Sequence, residues 1–185
     1  MILIGLCGTI GAGKGTVSEY LIKKYGFKVI TMGDIVREAC KEEGQEPNRE
    51  NCQKLQRERV RKHGKDYWTR KVTETVKKNK WERAIFDGVR YPIDAELPKK
   101  VFREKYVVIL VDADSKIRFG RLKKRGRVGD PETYKQFLEQ ERKEKEFFSL
   151  DKTLKMKDYV LYNNGDLKVL YKETDKVMSK LGVNS

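Results

Sequence analysis

Apolar positions in this chain fall into short runs separated by longer stretches in which they recur every three or four residues. Ile2, Leu3, Ile4, Leu6 and Cys7 form the first run, and Tyr106-Val107-Val108-Ile109-Leu110-Val111 forms an unbroken one. A continuous apolar run of that length suits a parallel strand covered on both faces. The pattern predicts strands at residues 2–7, 28–31, 83–87, 106–112 and 158–162. Helical spacing predicts helices at 14–25, 34–43, 48–62, 65–79, 92–103, 114–124, 131–147 and 166–181. Such alternation implies an α/β fold: a five-stranded parallel sheet flanked by helices, with right-handed crossovers and ligands at the carboxyl ends of the strands.

The length of 185 residues suits one compact domain. No apolar stretch is long enough to span a bilayer, and the N-terminal run is too short for a cleaved leader, so a cytoplasmic location is expected. Cys7, Cys40 and Cys52 lack metal-site spacing and fit structural roles in a reducing compartment. The net charge of +14 admits two readings. It can attract polyanions, either nucleic acid or phosphorylated small molecules. It can equally reflect a Lys/Glu-rich solvated surface, the simpler account of Lys77, Lys78, Lys80, Lys99 and Lys100.

Chemistry is concentrated first at Gly8-Thr9-Ile10-Gly11-Ala12-Gly13-Lys14-Gly15-Thr16, between the first strand and the first helix. Glycines let the backbone curl so that its N–H groups form a nest for anionic oxygens at a helix start. Lys14 adds a full positive charge for bridging and terminal phosphates. The hydroxyl stands at Thr16 rather than directly after the lysine. Thr16 is therefore read as a partner of an α-phosphate, near a Mg²⁺ ion held by phosphates and waters.

The other candidates sit at later strand ends. After the second strand comes Gly33-Asp34-Ile35-Val36-Arg37, where Asp34 can cap the next helix and Arg37 lies a turn in. After the third comes Asp87-Gly88-Val89-Arg90. A strand-end acid beside a phosphate loop is suited to anchoring metal-bound water. The helix after the fourth strand carries Arg118, Arg121 and Arg125 on one face, followed by Arg127 in a short flap ending at Asp130-Pro131. Three cations on one face repel each other unless an anion meets them, as in phosphoryl transfer, or unless the face is simply solvated. Asn163-Asn164-Gly165 reads as a turn after the last strand.

Taken in order, these segments resemble the nucleoside monophosphate kinase branch of the P-loop kinases, and adenylate-kinase-related proteins in particular. Gly8 through Thr16 is similar to their GxxGxGKGT loop, residues 33–37 to GDxxR, and residues 87–90 to a shortened DGxxR. Arg121-Leu122-Lys123-Lys124-Arg125 is similar to RxxxR beside the lid, and Arg127-Val128-Gly129-Asp130 to RxDD with one Asp replaced. The resemblance implies a P-loop kinase fold with a core of residues 1–33, 80–117 and 148–185. It adds a helical acceptor-binding insertion at 34–79 and a short lid at 118–147, with no zinc.

It implies transfer of the γ-phosphoryl group of ATP, with Mg²⁺, to a nucleoside or deoxynucleoside monophosphate, with an AMP-like acceptor favoured. Lys14, Arg90, Arg121, Arg125 and Arg127 are then the catalytic candidates. Residues 8–16, Arg121 and Asn164 form the donor site, and Gly33, Asp34, Arg37, Arg57, Asp87, Gly88 and Arg90 the acceptor site. Thr16 and, through water, Asp87 flank the metal. Gln53, Arg57 and Arg61 share a helical face in the insertion, and Arg142 is a stand-in for a further lid arginine. Two alternatives stay open. One is another phosphorylated acceptor such as dephospho-coenzyme A, and the other an RNA-associated nucleotide switch with weak ATPase activity. Oligomeric state is left open.

Overall fold

The computed structural model describes residues 1–127 and 129–185. Five strands, β1 (Ile2–Cys7), β2 (Lys28–Thr31), β3 (Arg83–Val89), β4 (Tyr106–Asp112) and β5 (Tyr159–Tyr162), form one sheet in the order β2-β3-β1-β4-β5. All four pairings are parallel. The central strands β1 and β4 are buried along nearly their whole length, as unbroken apolar runs require of a sheet covered on both faces.

Two apolar clusters cover those faces. On one, α1 (Lys14–Tyr25) and α9 (Leu167–Lys180) pack Val17, Leu21, Leu170 and Met178 onto Ile4, Leu6 and Ile109. On the other, α4 (Tyr67–Lys78) and α5 (Pro92–Phe102) set Val72, Val76, Ala95 and Phe102 against Phe86, Tyr106 and Val108. A third, smaller cluster of Val36, Cys40, Leu55 and Trp68 holds α2 (Met32–Glu42), α3 (Arg49–His63) and α4 together between β2 and β3. Near the C-terminal half, α6 (Ser115–Arg125) and α7 (Tyr134–Phe148) flank the flap.

The structure departs from the sequence expectations in four local ways. Helix α2 begins at Met32, so Gly33 and Asp34 lie in its first turn. Its cap is Thr31 and not Asp34: the Thr31 hydroxyl accepts from the Asp34 N–H while the Asp34 carboxylate accepts from the Thr31 N–H. Strand β3 runs on to Val89 because Gly88 is an extra residue opposite β1, where Leu6 pairs with Asp87 but Cys7 pairs with Val89. A short helix, α8 (Leu150–Lys155), and a 3₁₀ turn at Arg103–Lys105 were not expected. Helix α8 buries only Leu150 and Thr153, too brief a pattern to register as periodic, and Ser149 at φ 52° separates it from α7.

Candidate active site

The loop at residues 8–13 takes the shape its glycines permit, with Gly8, Gly11 and Gly13 at φ 143°, 77° and 104°. A side chain at Gly13 would meet Asn163 Nδ2 at 2.1 Å, so this position also needs glycine for space. Helix α1 starts directly after Gly13 with no side-chain cap and no acidic residue in its first turn. Its leading N–H groups and positive dipole end are thus left for an anion. The Lys14 ammonium folds across the loop and donates to the carbonyls of Gly8 at 2.7 Å and Thr9 at 3.2 Å. Burial pulls the Lys14 pKa down, and the Asp87 carboxylate acts against that fall.

One buried hydroxyl fits no internal scheme. Thr9 Oγ1 is enclosed yet has no hydrogen-bond partner, alone in this respect among the described residues. Buried polar groups of this kind are rare and ask for an explanation. Here the atom lies in the loop beside Lys14, where a ligand oxygen can complete it. With the uncapped helix start, it makes the loop fit a nucleotide phosphate group.

Asp87 keeps regular register with Leu6 and Thr31, and the bulge at Gly88, φ 85°, falls directly after it. An extra residue re-aims the strand end, while the Asp87 carboxyl lies within electrostatic reach of Lys14 and Arg90. Burial raises its pKa, opposed first by Lys14. Arg90 follows at the start of the turn into α5, held by a residue outside the expected set. Asp94 is buried and accepts from the backbone N–H groups of Arg90 and Tyr91, at 3.2 and 2.9 Å, and from the Thr69 hydroxyl at 2.6 Å. It therefore ties the Arg90 turn to α4.

Asn163 is the second residue the sequence expectations missed. Its amide donates to the Ala12 carbonyl at 2.8 Å, and Arg121 donates to its carbonyl at 2.8 Å and to its Oδ1 at 3.1 Å. Asn163 and Arg121 thus brace the phosphate loop from the β5 side. The neighbouring Asn164 is exposed and accepts from the Asp114 N–H at 2.8 Å, joining the ends of β4 and β5.

The arginines expected to share an anion on one face of α6 part company. Arg118 is buried, ion-paired with Glu141 of α7 at 2.8 Å, and donates to the Ala113 and Ile10 carbonyls. Arg125 pairs with Asp130, which also accepts from the Arg127 N–H at 3.0 Å. Val128 of the same flap lies outside the described residues. Arg142 projects outward, paired with Glu139 and Glu146. Between β2 and β3, Arg37 is paired with Asp34 at 2.5 Å, and Arg57 stands exposed on α3.

Between the loop and α7 opens a cleft of about 870 Å³ lined by Ile10, Arg90, Gln140, Lys143, Glu144 and Phe147 among others. Arg90 is in that lining, and Lys14 and Asp87 lie within electrostatic reach of it. No group of three His, Cys, Asp or Glu side chains placed to hold a metal ion is found among the described residues.

A family model described as an AAA domain matches residues 7–137, from the end of β1 into α7. The chain belongs to that family of P-loop proteins. Relatives match this chain along nearly its whole length. The UPF0200 protein of Methanothermobacter thermautotrophicus is 32% identical over 98% of this chain and 91% of its own. That of Hyperthermus butylicus is 31% identical over 97% and 95%. Among solved structures, shikimate kinase from Bacteroides thetaiotaomicron superposes with a TM-score of 0.61 at 13% identity, covering 98% of both chains. TT1252 from Thermus thermophilus gives 0.60 at 23% identity, covering 97% of both. Those two likenesses establish the fold of this AAA-domain protein as that of the P-loop kinases. Among the described residues, no helix is long and apolar enough to cross a membrane.

Proposed function

We propose that this P-loop protein is a phosphotransferase that moves the γ-phosphoryl group of ATP to a nucleoside monophosphate. The observation that carries the proposal is the uncapped start of α1 behind the glycine loop, with the Lys14 ammonium folded across that loop and Asp87 and Arg90 within its electrostatic reach. The donor phosphates lie in the loop, where its N–H groups, Lys14 and the orphaned Thr9 hydroxyl accommodate their oxygens. Magnesium would supply charge neutralisation, with Asp87 holding it through water and Thr16 flanking it on an α-phosphate.

Arg90 receives the acceptor phosphate, with Arg37 swinging in from the insertion after exchanging Asp34 for the ligand. An acceptor phosphate is already nucleophilic, so the protein needs no general base. Catalysis rests on positioning and on charge neutralisation by Lys14, Arg90, Arg121, Arg125 and Arg127. Closure of the flap over the site excludes water, which would otherwise take the phosphoryl group.

A coupled phosphotransfer assay with Mg²⁺-ATP over the common ribo- and deoxyribonucleoside monophosphates, and dephospho-coenzyme A, tests the proposal. At least one monophosphate is expected to turn over. Lys14→Ala is expected to lower that rate by at least about 10³-fold, the scale of losing a major electrostatic contact in the transition state. No transfer to any monophosphate, or a near-normal rate in Lys14→Ala, overturns it.

A further inference from the structure

Helix α7 turns an unusual face to the cleft. Gln140, Lys143, Glu144 and Phe147 follow i, i+3, i+4, i+7 spacing and line the cavity together. Here three of the four are polar, and the fourth, Phe147, is 71% exposed, more than any other large apolar side chain among the described residues.

The Phe147 ring is nonetheless held. It stands perpendicular to Phe148 with centroids 4.9 Å apart, Phe148 packs edge-on against Tyr91 at 4.9 Å, and the Arg90 guanidinium lies 5.0 Å from the Phe148 centroid. The cation expected to take a phosphate is thus fixed to the aromatic wall that carries the exposed ring. Glu144, half-buried, approaches Arg90 at 3.9 Å and lies within electrostatic reach of Lys14. Glu146, by contrast, is engaged by Arg142 at 2.6 Å.

We infer that this face of α7 is the recognition surface for the acceptor, and that it takes a nucleoside monophosphate with its base stacked on Phe147. The inference rests on the phosphotransferase reading and deepens it. The phosphate sits on Arg90, next to Lys14 and the loop. The Glu144 carboxylate accepts hydrogen bonds from the sugar hydroxyls, and its charge partly offsets that of Arg90. Phe147 lies three residues beyond Glu144, about 4.5 Å farther along the helix axis, where a base attached to that sugar arrives. Gln140 and Lys143 supply polar groups on the same wall. The volume of about 870 Å³ falls within the range of small-molecule sites. The insertion, whose Arg57 is absent from the cleft lining, then acts as a cover and not as the reader of the base.

Calorimetric binding of AMP, GMP, CMP and UMP to the full chain, each alone, tests this assignment. The wild-type protein is expected to bind at least one of them saturably. Phe147→Ala is expected to weaken that binding by at least about 5-fold, since stacking of a base on an aromatic ring contributes roughly 5- to 150-fold. Phe147→Tyr keeps the ring and should stay within about 2-fold, and Leu138→Ala, which removes an exposed apolar side chain outside the cleft lining, should leave affinity unchanged. A non-hydrolysable ATP analogue should bind wild type and Phe147→Ala alike.

Two outcomes overturn the assignment: no saturable binding of any monophosphate, or unaltered affinity in Phe147→Ala. A loss in Arg57→Ala alongside the second would move the site to α3. The transfer assay separates the two ideas. Monophosphate binding that depends on Phe147 without any phosphoryl transfer removes the proposed reaction and keeps the site. Transfer that proceeds with affinity independent of Phe147 keeps the reaction and removes the site.

Discussion

Asn163 shows how much one buried amide can control. Its side chain and carbonyl connect the phosphate loop, Arg121 and the end of β5, while its N–H donates to the Asp112 carbonyl at 2.7 Å. Removing the amide takes the 2.8 Å donor from the Ala12 carbonyl and the Oδ1 contact from Arg121, which keeps its bond to the backbone carbonyl, at a residue only 3% exposed. Asn163→Ala is therefore expected to lower stability by about 1–3 kcal/mol in urea denaturation, the cost of an unsatisfied buried group. It should also raise the KM for ATP several-fold, because the loop loses its brace. An unchanged KM alongside the stability loss would mean that the loop holds its shape unaided. The sequence could not announce this residue. Asn163-Asn164-Gly165 has the composition of an ordinary turn, and only the tertiary approach of β5 to the loop distinguishes the first asparagine from the second. Lys14 was legible for the opposite reason, since its partners are local and fixed by the spacing of the glycines.

At the level of elements, the arginines of α6 were legible as a face but not as three separate fates. Spacing places Arg118, Arg121 and Arg125 together. It does not reveal that α7 delivers Glu141 to the first of them, since that depends on how two helices cross. The Arg118–Glu141 pair is almost wholly enclosed and also stacks on Phe137, with the guanidinium 5.1 Å from the ring. An enclosed pair contributes little net stability when intact, but leaving one charge without its partner is costly. Glu141→Ala is expected to destabilise by about 3–5 kcal/mol. For a chain of this size that is a fall in Tm of roughly 10 °C. Arg118→Met combined with Glu141→Leu should recover most of it by calorimetry, because the buried charge is then gone altogether. A double variant as unstable as the single one would place the stability in the shape of the pair and not in its charge. The five strands and most helices were legible because their periods are local. Helix α8 was not, being shorter than any usable period.

For the molecule as a whole, the excess of positive charge has to be set against where the cations are engaged. Near the carboxyl ends of the strands, Arg37, Arg118 and Arg125 each have a carboxylate partner in the chain. The lysines that make up much of the surplus, Lys77, Lys78, Lys80, Lys99 and Lys100, are exposed in and around α4 and α5. Even these are partly engaged: Lys99 pairs with Asp158, and Lys77 lies 5.8 Å from the Phe102 ring centroid. Such a distribution attracts a polyanion weakly and without a preferred path, and it has no link to the nucleotide loop. Single-stranded RNA is therefore expected to be retarded in gels at low salt only. Its affinity should fall roughly 100-fold between about 50 and 200 mM salt, as some five phosphate contacts would give. Mg²⁺-ATP and Lys14→Ala should leave that retardation unchanged. Binding that resists salt and responds to ATP would instead tie the basic surface to the loop and favour an RNA-associated nucleotide switch over a small-molecule kinase.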